Sequence, residues 1–458
     1  MPSKFSCIGH VKDYCATCTF AGVRFIADDT KHWIERLLWA VLVILSWFGS
    51  ALLISSAWEA FVKSPISFGV ETTYLDWETR VPAVAVCNVV AKTNKYQIYN
   101  IGNKIFNSFK FDDEIKEIIY FRGRAFNLVK NCLPENRDPQ CPLSNYSYYA
   151  SFILSPCSEV LANCSYNNKK FDCCEYFQPI ETDIGVCYII NSIQTKNPKT
   201  YPMVNNVIHK RGVLRFKLLR ASMIYTLGED EIPNIATLLS STLQVLLGKL
   251  YRREVIVKNI ENHPLVEQTT LEQRVCRFHH ENEDGLYPQY SYSACIIRCR
   301  KLAQLKTCQC NDHFMVGATE EEHCNITGMA CLHDNFAYLT ALKPPWAQRP
   351  GLVCDCLPSC NETEINVIED MALPLHTENS KEAHVEIILA YLPTERFKRN
   401  VVRSRLDLVV SLGGTAGLFV GASLLSFVEL IFFFTVRLIN NVWIEKRKQN
   451  NNVHRNRY

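Results

Sequence analysis

Two long stretches almost empty of charge limit what this chain can fold into. Leu37 to Trp58, LLWAVLVILSWFGSALLISSAW, runs 22 residues without a charged side chain, and about 20 apolar residues carry a helix across a bilayer core. Leu406 to Val436 holds 31 residues, of which only Asp407 and Glu429 are charged. Core helices of this length without a polar face are rare in soluble proteins. A cleaved signal peptide is the alternative reading of the first stretch, but 36 residues precede it and it is long for a signal h-region. The expectation is a two-pass protein of the plasma membrane, embedded in the lipid bilayer with both termini cytosolic.

Cysteine and glycan chemistry say which side the intervening segment occupies. Eighteen of the 21 cysteines fall between Glu59 and Arg405, an even and dense count that suits disulfides and an oxidising compartment. The same segment holds every Asn-x-Ser/Thr sequon, at Asn145, Asn163, Asn325 and Asn361, and such sites are glycosylated only on the lumenal side. The tail carries Arg437, Lys446, Arg447, Lys448, Arg455 and Arg457 against Glu445, which fits the positive-inside tendency. Arg396, Lys398, Arg399, Arg403 and Arg405 run against it, though long translocated domains escape that rule. The expected organisation is a cytosolic arm (1–36), a first span (37–58), an extracellular cysteine-rich domain (59–405), a second span (406–436) and a cytosolic tail (437–458). The fold class is α+β, two transmembrane helices flanking a disulfide-rich domain with a β-sheet core and peripheral helices.

Within the large segment, TRVPAVAVCN alternates as a strand ending near Cys87, and a charged helical stretch follows from Asp112 to Lys130. The region holding Cys132, Cys141, Cys157, Cys164, Cys173 and Cys174 has few long periodic runs, so disulfides rather than a core are expected to hold it. The vicinal Cys173 and Cys174 are expected to take different partners. The 88 residues after Cys187 lack cysteine and contain the strand-like runs GVLRFKLL, TLQVLLGKLY and REVIVKNI. Ten cysteines then crowd into the 85 residues from Cys276 to Cys360. There YSACIIRCRKLAQLKTCQC reads as a helix with Cys295 and Cys299 on one face. HVEIILAYLP reads as a strand returning to the membrane.

Enzymatic and metal chemistry find no support. His279, His280 and Glu281 lack the partner spacing of a zinc helix and read as surface residues, and Cys15 and Cys18 lack the second pair a zinc site needs. No cofactor is expected. A net charge of +3 without a basic aromatic stripe does not suggest a nucleic-acid partner.

The second span is the most informative segment. SLGGTAGLFVGASLLSFVELIFFFTVR contains Gly413 and Gly414, then Gly417-Leu418-Phe419, then Gly421-Ala422-Ser423, then Leu424, Leu425 and Glu429. This order closely resembles the pore segment of the epithelial sodium channel/degenerin family, and SLGGTAGLFVGASLLS with YSYSACIIRC most resembles its insect pickpocket branch. PAVAVCN (Pro82 to Asn88) and GVCYIIN (Gly185 to Asn191) look like two family strands whose cysteines pair, here Cys87 with Cys187. The resemblance further implies a nested ladder joining Cys276 to Cys360, Cys295 to Cys356, Cys299 to Cys354, Cys308 to Cys331 and Cys310 to Cys324. Two departures stand out. The family's His-Gly gating pair in the arm is matched by Ala21 and Gly22, and the acidic residue often found before the Gly-Gly pair is replaced by Val410, Ser411 and Leu412.

The residues suit a pore on physical grounds. A 31-residue helix is about 46 Å long against a core of about 30 Å, so it must tilt, protrude or break. Gly413, Gly417 and Gly421 recur every four residues, giving a small face for close helix approach. Gly421, Ala422 and Ser423 can expose backbone carbonyls that replace an ion's hydration shell where subunits converge. Glu429 is read as part of a cation-concentrating ring, the alternative being an interfacial carboxylate that reaches cytosolic water. The resemblance implies a trimeric, sodium-permeable, amiloride-sensitive-type channel subunit, homomeric or combined with related subunits, sensory or epithelial. The competing readings are a non-conducting surface receptor glycoprotein, an accessory subunit, or an ATP-gated two-pass channel, whose pore lacks the Gly-x-Ser pattern.

Overall fold

A computed structural model describes residues 7–72, 77–88, 112–133, 141–151, 155–208, 212–237, 239–283, 285–375, 381–393, 395–440 and 443–444. The basic tail residues Lys446, Arg447, Lys448, Arg455 and Arg457 lie outside the described residues. The chain forms two compact units, one of residues 1–67 with 400–458 and one of residues 68–399.

The first unit is helical: α1 (Cys7–Thr17), α2 (Val23–Ala27) and α3 (Trp33–Lys63), with α10 (Arg405–Val420) and α11 (Leu424–Phe432) from the far end of the chain. His32 caps α3 by accepting from the Ile34 amide at 3.4 Å, and the ion pairs Lys31–Glu35 and Glu59–Lys63 sit one turn apart near its two ends. This helix is long and apolar enough to cross a membrane. Its Ile44, Leu45 and Phe48 are each more than 60% exposed, as lipid-facing side chains would be.

The second unit is a mixed, disulfide-rich body. Its strands are β1 (Ile66–Glu71), β2 (Thr79–Arg80), β3 (Ala83–Asn88), β4 (Leu161–Tyr166), β5 (Lys169–Lys170), β6 (Gln178–Thr182), β7 (Gly185–Ile190), β8 (Val204–Asn205), β9 (Val213–Leu218), β10 (Ser222–Leu227), β11 (Thr242–Val245), β12 (Lys249–Asn262), β13 (Thr363–Pro374), β14 (Ala383–Leu389) and β15 (Arg396–Val401). One sheet runs β1-β15-β12-β14-β9-β4-β5, with β13 also on β12; a second runs β11-β10-β3-β7-β6, and β2 pairs with β8. Strand β12, 14 residues long, is the spine of the first sheet, and its side chains alternate from Tyr251 to Val257, burying Tyr251, Arg253, Val255 and Val257. Tyr251 and Val255 join Leu214, Phe216, Val385 and Ile387 in one core. In the second sheet Cys87 stands directly opposite Cys187 and is bonded to it.

Peripheral helices complete this unit: α4 (Asp112–Ile119), α5 (Phe126–Cys132), α6 (Tyr146–Ser151), α7 (Tyr292–Cys308), α8 (Ile326–Asp334) and α9 (Phe336–Thr340). The expected single helix from Asp112 to Lys130 is two. Gly123 turns the chain at φ 82°, and the Glu117 carboxylate accepts from the amides of Asn127 (2.9 Å) and Leu128 (2.8 Å), capping α5 from the preceding helix. Nor do disulfides alone hold the cysteine-rich region. Ile115, Ile118, Leu128 and Tyr146 are buried together with Met329 and Leu332 in an apolar core.

Candidate functional site

The site grows from a break in the second charge-poor segment. Helix α10 starts on a capping box, Ser404 accepting from the Asp407 amide while Asp407 accepts from Ser404. It stops at Gly421, whose φ of 66° is left-handed and whose amide returns to Gly417 O at 3.1 Å. Two residues later Ser423 caps α11 by accepting from the Ser426 amide at 3.2 Å, with Ser426 Oγ reciprocating toward the Ser423 amide. A stop signal and a start signal thus abut in Gly-Ala-Ser. The two helical pieces, Arg405–Val420 and Leu424–Asn440, bend by 72°, and only together do they have the length and apolarity of a membrane span.

Breaking the helix frees carbonyls in its last turn, and the same unit supplies donors for two of them. Ser46 Oγ donates to Phe419 O, and the amide of Ala21 donates to Val420 O at 3.0 Å. A Cβ at Gly421 would meet Ala21 Cβ at 3.0 Å, and one at Gly49 would meet the Phe419 ring at 3.2 Å, so both glycines allow a close approach that a side chain would block. Gly22 follows Ala21 at φ 79°, where a Cβ would lie 2.7 Å from Val43 Cγ2. Aromatic contacts seat the arm: Phe20 lies near Trp47 (6.2 Å) and Phe427 (6.3 Å), Phe25 stacks on Trp39 (4.6 Å), and Tyr14 meets Phe433 and Phe434 at 5.1 Å each.

Glu429 is brought into this arrangement. The Thr19 hydroxyl lies 2.8 Å from Glu429 Oε2 and 2.8 Å from Ser426 Oγ. A hydroxyl has one proton to give. The consistent order is Ser426 donating to Thr19 and Thr19 to the carboxylate. The sequence pattern missed Thr19 and Ser46, whose partners are 410 and 373 residues away; Ser426 could have been found, because it stands at capping-box spacing from Ser423. Gly413 and Gly414 sit in mid-α10, and no described atom lies within 4 Å of a Cβ built on either. At Gly417 such a Cβ meets Ala422 O at 3.9 Å. The glycine face is therefore open along most of its length within this chain.

In the other unit, α7 carries Cys295, Cys299 and Cys308, bonded to Cys356, Cys354 and Cys331. Cys276 joins Cys360, Cys310 joins Cys324, and Cys132 joins Cys141. The vicinal pair divides, Cys173 to Cys164 and Cys174 to Cys157. Asn145, Asn163, Asn325 and Asn361 are all exposed. The expectation of a surface His279-His280-Glu281 needs correction. His280 is exposed, but His279 lies 3.6 Å from buried Asp230, and Glu281 is drawn in by Arg274 and the Phe278 amide.

A helix broken at Gly-Ala-Ser and followed by a carboxylate, in a chain whose other unit is stapled by cysteine pairs, accompanies a match to a known family. This chain belongs to the amiloride-sensitive sodium channel family. The match covers residues 14–433. Sodium channel protein Nach of Drosophila ananassae is 23% identical over 482 aligned positions, 97% of this chain and 90% of that one. Pickpocket protein 19 of Drosophila melanogaster is 24% identical over 90% of this chain and 87% of its own length. Acid-sensing ion channel 2 of Danio rerio is 27% identical over 32% of this chain and 29% of its own. The chain is a sodium-channel-type subunit of the insect pickpocket branch, and the family consists of integral membrane channels rather than enzymes.

Proposed function

We propose that this chain is a pore-forming subunit of a sodium-permeable, amiloride-sensitive channel, assembled as a trimer with copies of itself or with related subunits. It crosses the plasma membrane twice, with cytosolic termini and the body of residues 59–405 outside the cell, where the gating stimulus acts in a sensory or epithelial setting. The observation that carries this reading is the 72° break at Gly421, Ala422 and Ser423. Non-helical backbone at membrane depth is tolerated only against protein or a water-filled path. Carbonyls of the break, repeated by symmetry around an axis, can stand in for a sodium ion's hydration shell. Glu429, held by Thr19, adds negative charge one helical segment further on.

Voltage-clamp recording tests this in a subunit combination that passes current. Enlarging Ser423 should change the sodium-to-potassium permeability ratio more than the same change at Leu425. Unchanged ratios at normal surface levels for Gly421 and Ser423 variants would sink the filter assignment. Ala21, standing where the family's arm usually has histidine, favours one second reading, an accessory subunit that conducts only with relatives. Current from this chain expressed alone would exclude it.

A further inference from the structure

Asn361 differs from the other sequon asparagines in what surrounds it. It borders a cleft of about 550 Å³, within the roughly 300–1,000 Å³ typical of small-ligand sites. Asn262 Nδ2 donates to Asn361 Oδ1 at 2.6 Å and to Cys360 O at 2.9 Å, fixing the carboxamide by its oxygen and leaving Nδ2 as the outward atom. The lining mixes an apolar floor of Val81, Pro82 and Ile260 with polar walls. Arg396 pairs with Glu261 at 2.7 Å and reaches Glu78 O at 3.0 Å, while Arg80 pairs with Glu229 at 3.4 Å.

Two atoms of that lining are unmatched. Asn262 Oδ1, an acceptor, and Arg396 Nε, a donor, are buried with no hydrogen-bond partner among the described residues. Buried polar groups are rarely left so. An occupant that both donates and accepts would satisfy them, and a pyranose ring with hydroxyl and acetamido groups does both while laying its C–H face on Val81, Pro82 and Ile260. Asn325 also borders a cleft, of about 330 Å³, but no unmatched buried atom lies in its lining.

We propose that Asn361 is N-glycosylated and that its first N-acetylglucosamine sits in this cleft as part of the fold, bridging the segment at Glu78–Ala83 to β12 and β15. In the transfer, Asn361 Nδ2 bonds to the anomeric carbon of a lipid-pyrophosphate-linked oligosaccharide. The bond from that carbon to the pyrophosphate oxygen breaks, the lipid pyrophosphate leaves, and Nδ2 gives up one proton. Thr363, two residues on, supplies the hydroxyl the sequon requires.

The inference rests on the lumenal placement proposed above, and the test separates the two. Full-length protein is treated with a peptide N-glycosidase while native and again after denaturation, and Asn-to-Asp conversion is read at each sequon by mass spectrometry. Native release at Asn361 should be about tenfold slower than at exposed Asn145 and Asn163, the protection given by an opening step of about 1.4 kcal/mol. Denaturation should equalise the rates. Asn262→Ala, which frees Oδ1, should raise the native rate at Asn361 toward the other two, with an unchanged unfolding temperature and unchanged disulfide pairing reporting that the variant is folded. Glycan at Asn145 with none at Asn361, or equal native release rates, would overturn the seated-sugar proposal alone. Absence of glycan at every sequon would overturn the topology and this proposal with it.

Discussion

At the scale of single residues, the most consequential side chain of the body is Arg253. It is fully buried, forms a two-pronged pair with Asp370 (2.7 Å on both arms), and donates further to Thr226 Oγ1, Ser241 O and Thr242 O. These partners lie on or beside β13, β10 and β11, so one guanidinium ties the two large sheets together. Asp370 is 37% exposed and would stay solvated, so losing Arg253 strands the hydroxyl and carbonyls that it bonds, at a cost of about 1–3 kcal/mol. Arg253→Ala should lower the unfolding temperature of the full-length protein accordingly, and Arg253→Lys should recover little, because an ammonium cannot reproduce the planar fork. Full recovery with lysine would refute the geometric argument. Glu231 contributes to the pH dependence of stability. Burial first, then neighbouring Asp230, raises its carboxyl above the ordinary 4.5, while Ser293 opposes. A raised folded-state value means that the folded protein binds a proton the unfolded chain does not. The cost of the charged form is therefore full above the raised value and fades as pH falls toward 4.5. Thermal unfolding at several pH values should find Glu231→Gln stabilised over the parent at pH 7.5, with the difference shrinking toward pH 5. A gap that widens on acidification would reverse the assigned sign.

At the scale of elements, the break between α10 and α11 decides most. Gly421 is left-handed and 3.0 Å from where its Cβ would strike Ala21, so Gly421→Val combines backbone strain with displacement of the arm. Ala21→Gly should relieve only the second. In recordings with matched surface expression, Gly421→Val should abolish or reshape the current. Adding Ala21→Gly should restore part of it if arm contact contributes, and leave the loss intact if strain is the whole cause. That the segment must tilt, protrude or break was legible, since a helix of about 46 Å does not fit a core of about 30 Å, and the structure takes the break. Its position was legible only as a coincidence of a C-terminal glycine and an N-capping serine. The Thr19 contact to Glu429 was not legible, because hydrogen bonds across 410 residues leave no local period. The same limit explains α4 and α5: Asp112 to Lys130 has helical composition throughout, and only the long-range packing of Phe336 near Gly123, together with the Glu117 cap, shows where the chain turns. Strand β12 shows the opposite case. REVIVKNI reads as a strand and is one, and its period-two alternation sets Arg253 on the inward face with Val255, where Asp370 of β13 pairs with it.

At the scale of the whole molecule, the disulfides act as a set. The Cys276–Cys360, Cys295–Cys356 and Cys299–Cys354 bridges close loops of 84, 61 and 55 residues when each is counted alone. They are nested, however, so with the other two intact the outer bridge constrains only 19 residues on one side and 4 on the other. Loop-closure entropy grows as about (3/2)RT ln n. The outer bridge then contributes about 1 kcal/mol less than its full separation implies. Losing it alone should cost about 3.5 kcal/mol, inside rather than at the top of the usual range of about 2–5 kcal/mol. Removing the outer and middle bridges together should cost more than the two single losses combined, because each has been shortening the other's loop. Unfolding temperatures of the two single cysteine-pair deletions and of the combined deletion measure this directly, with peptide mapping to show that the remaining bridges keep their partners. Strict additivity with intact pairing would mean that each bridge acts through local packing rather than through shared loops. The nested arrangement would then confer no cooperativity on the body.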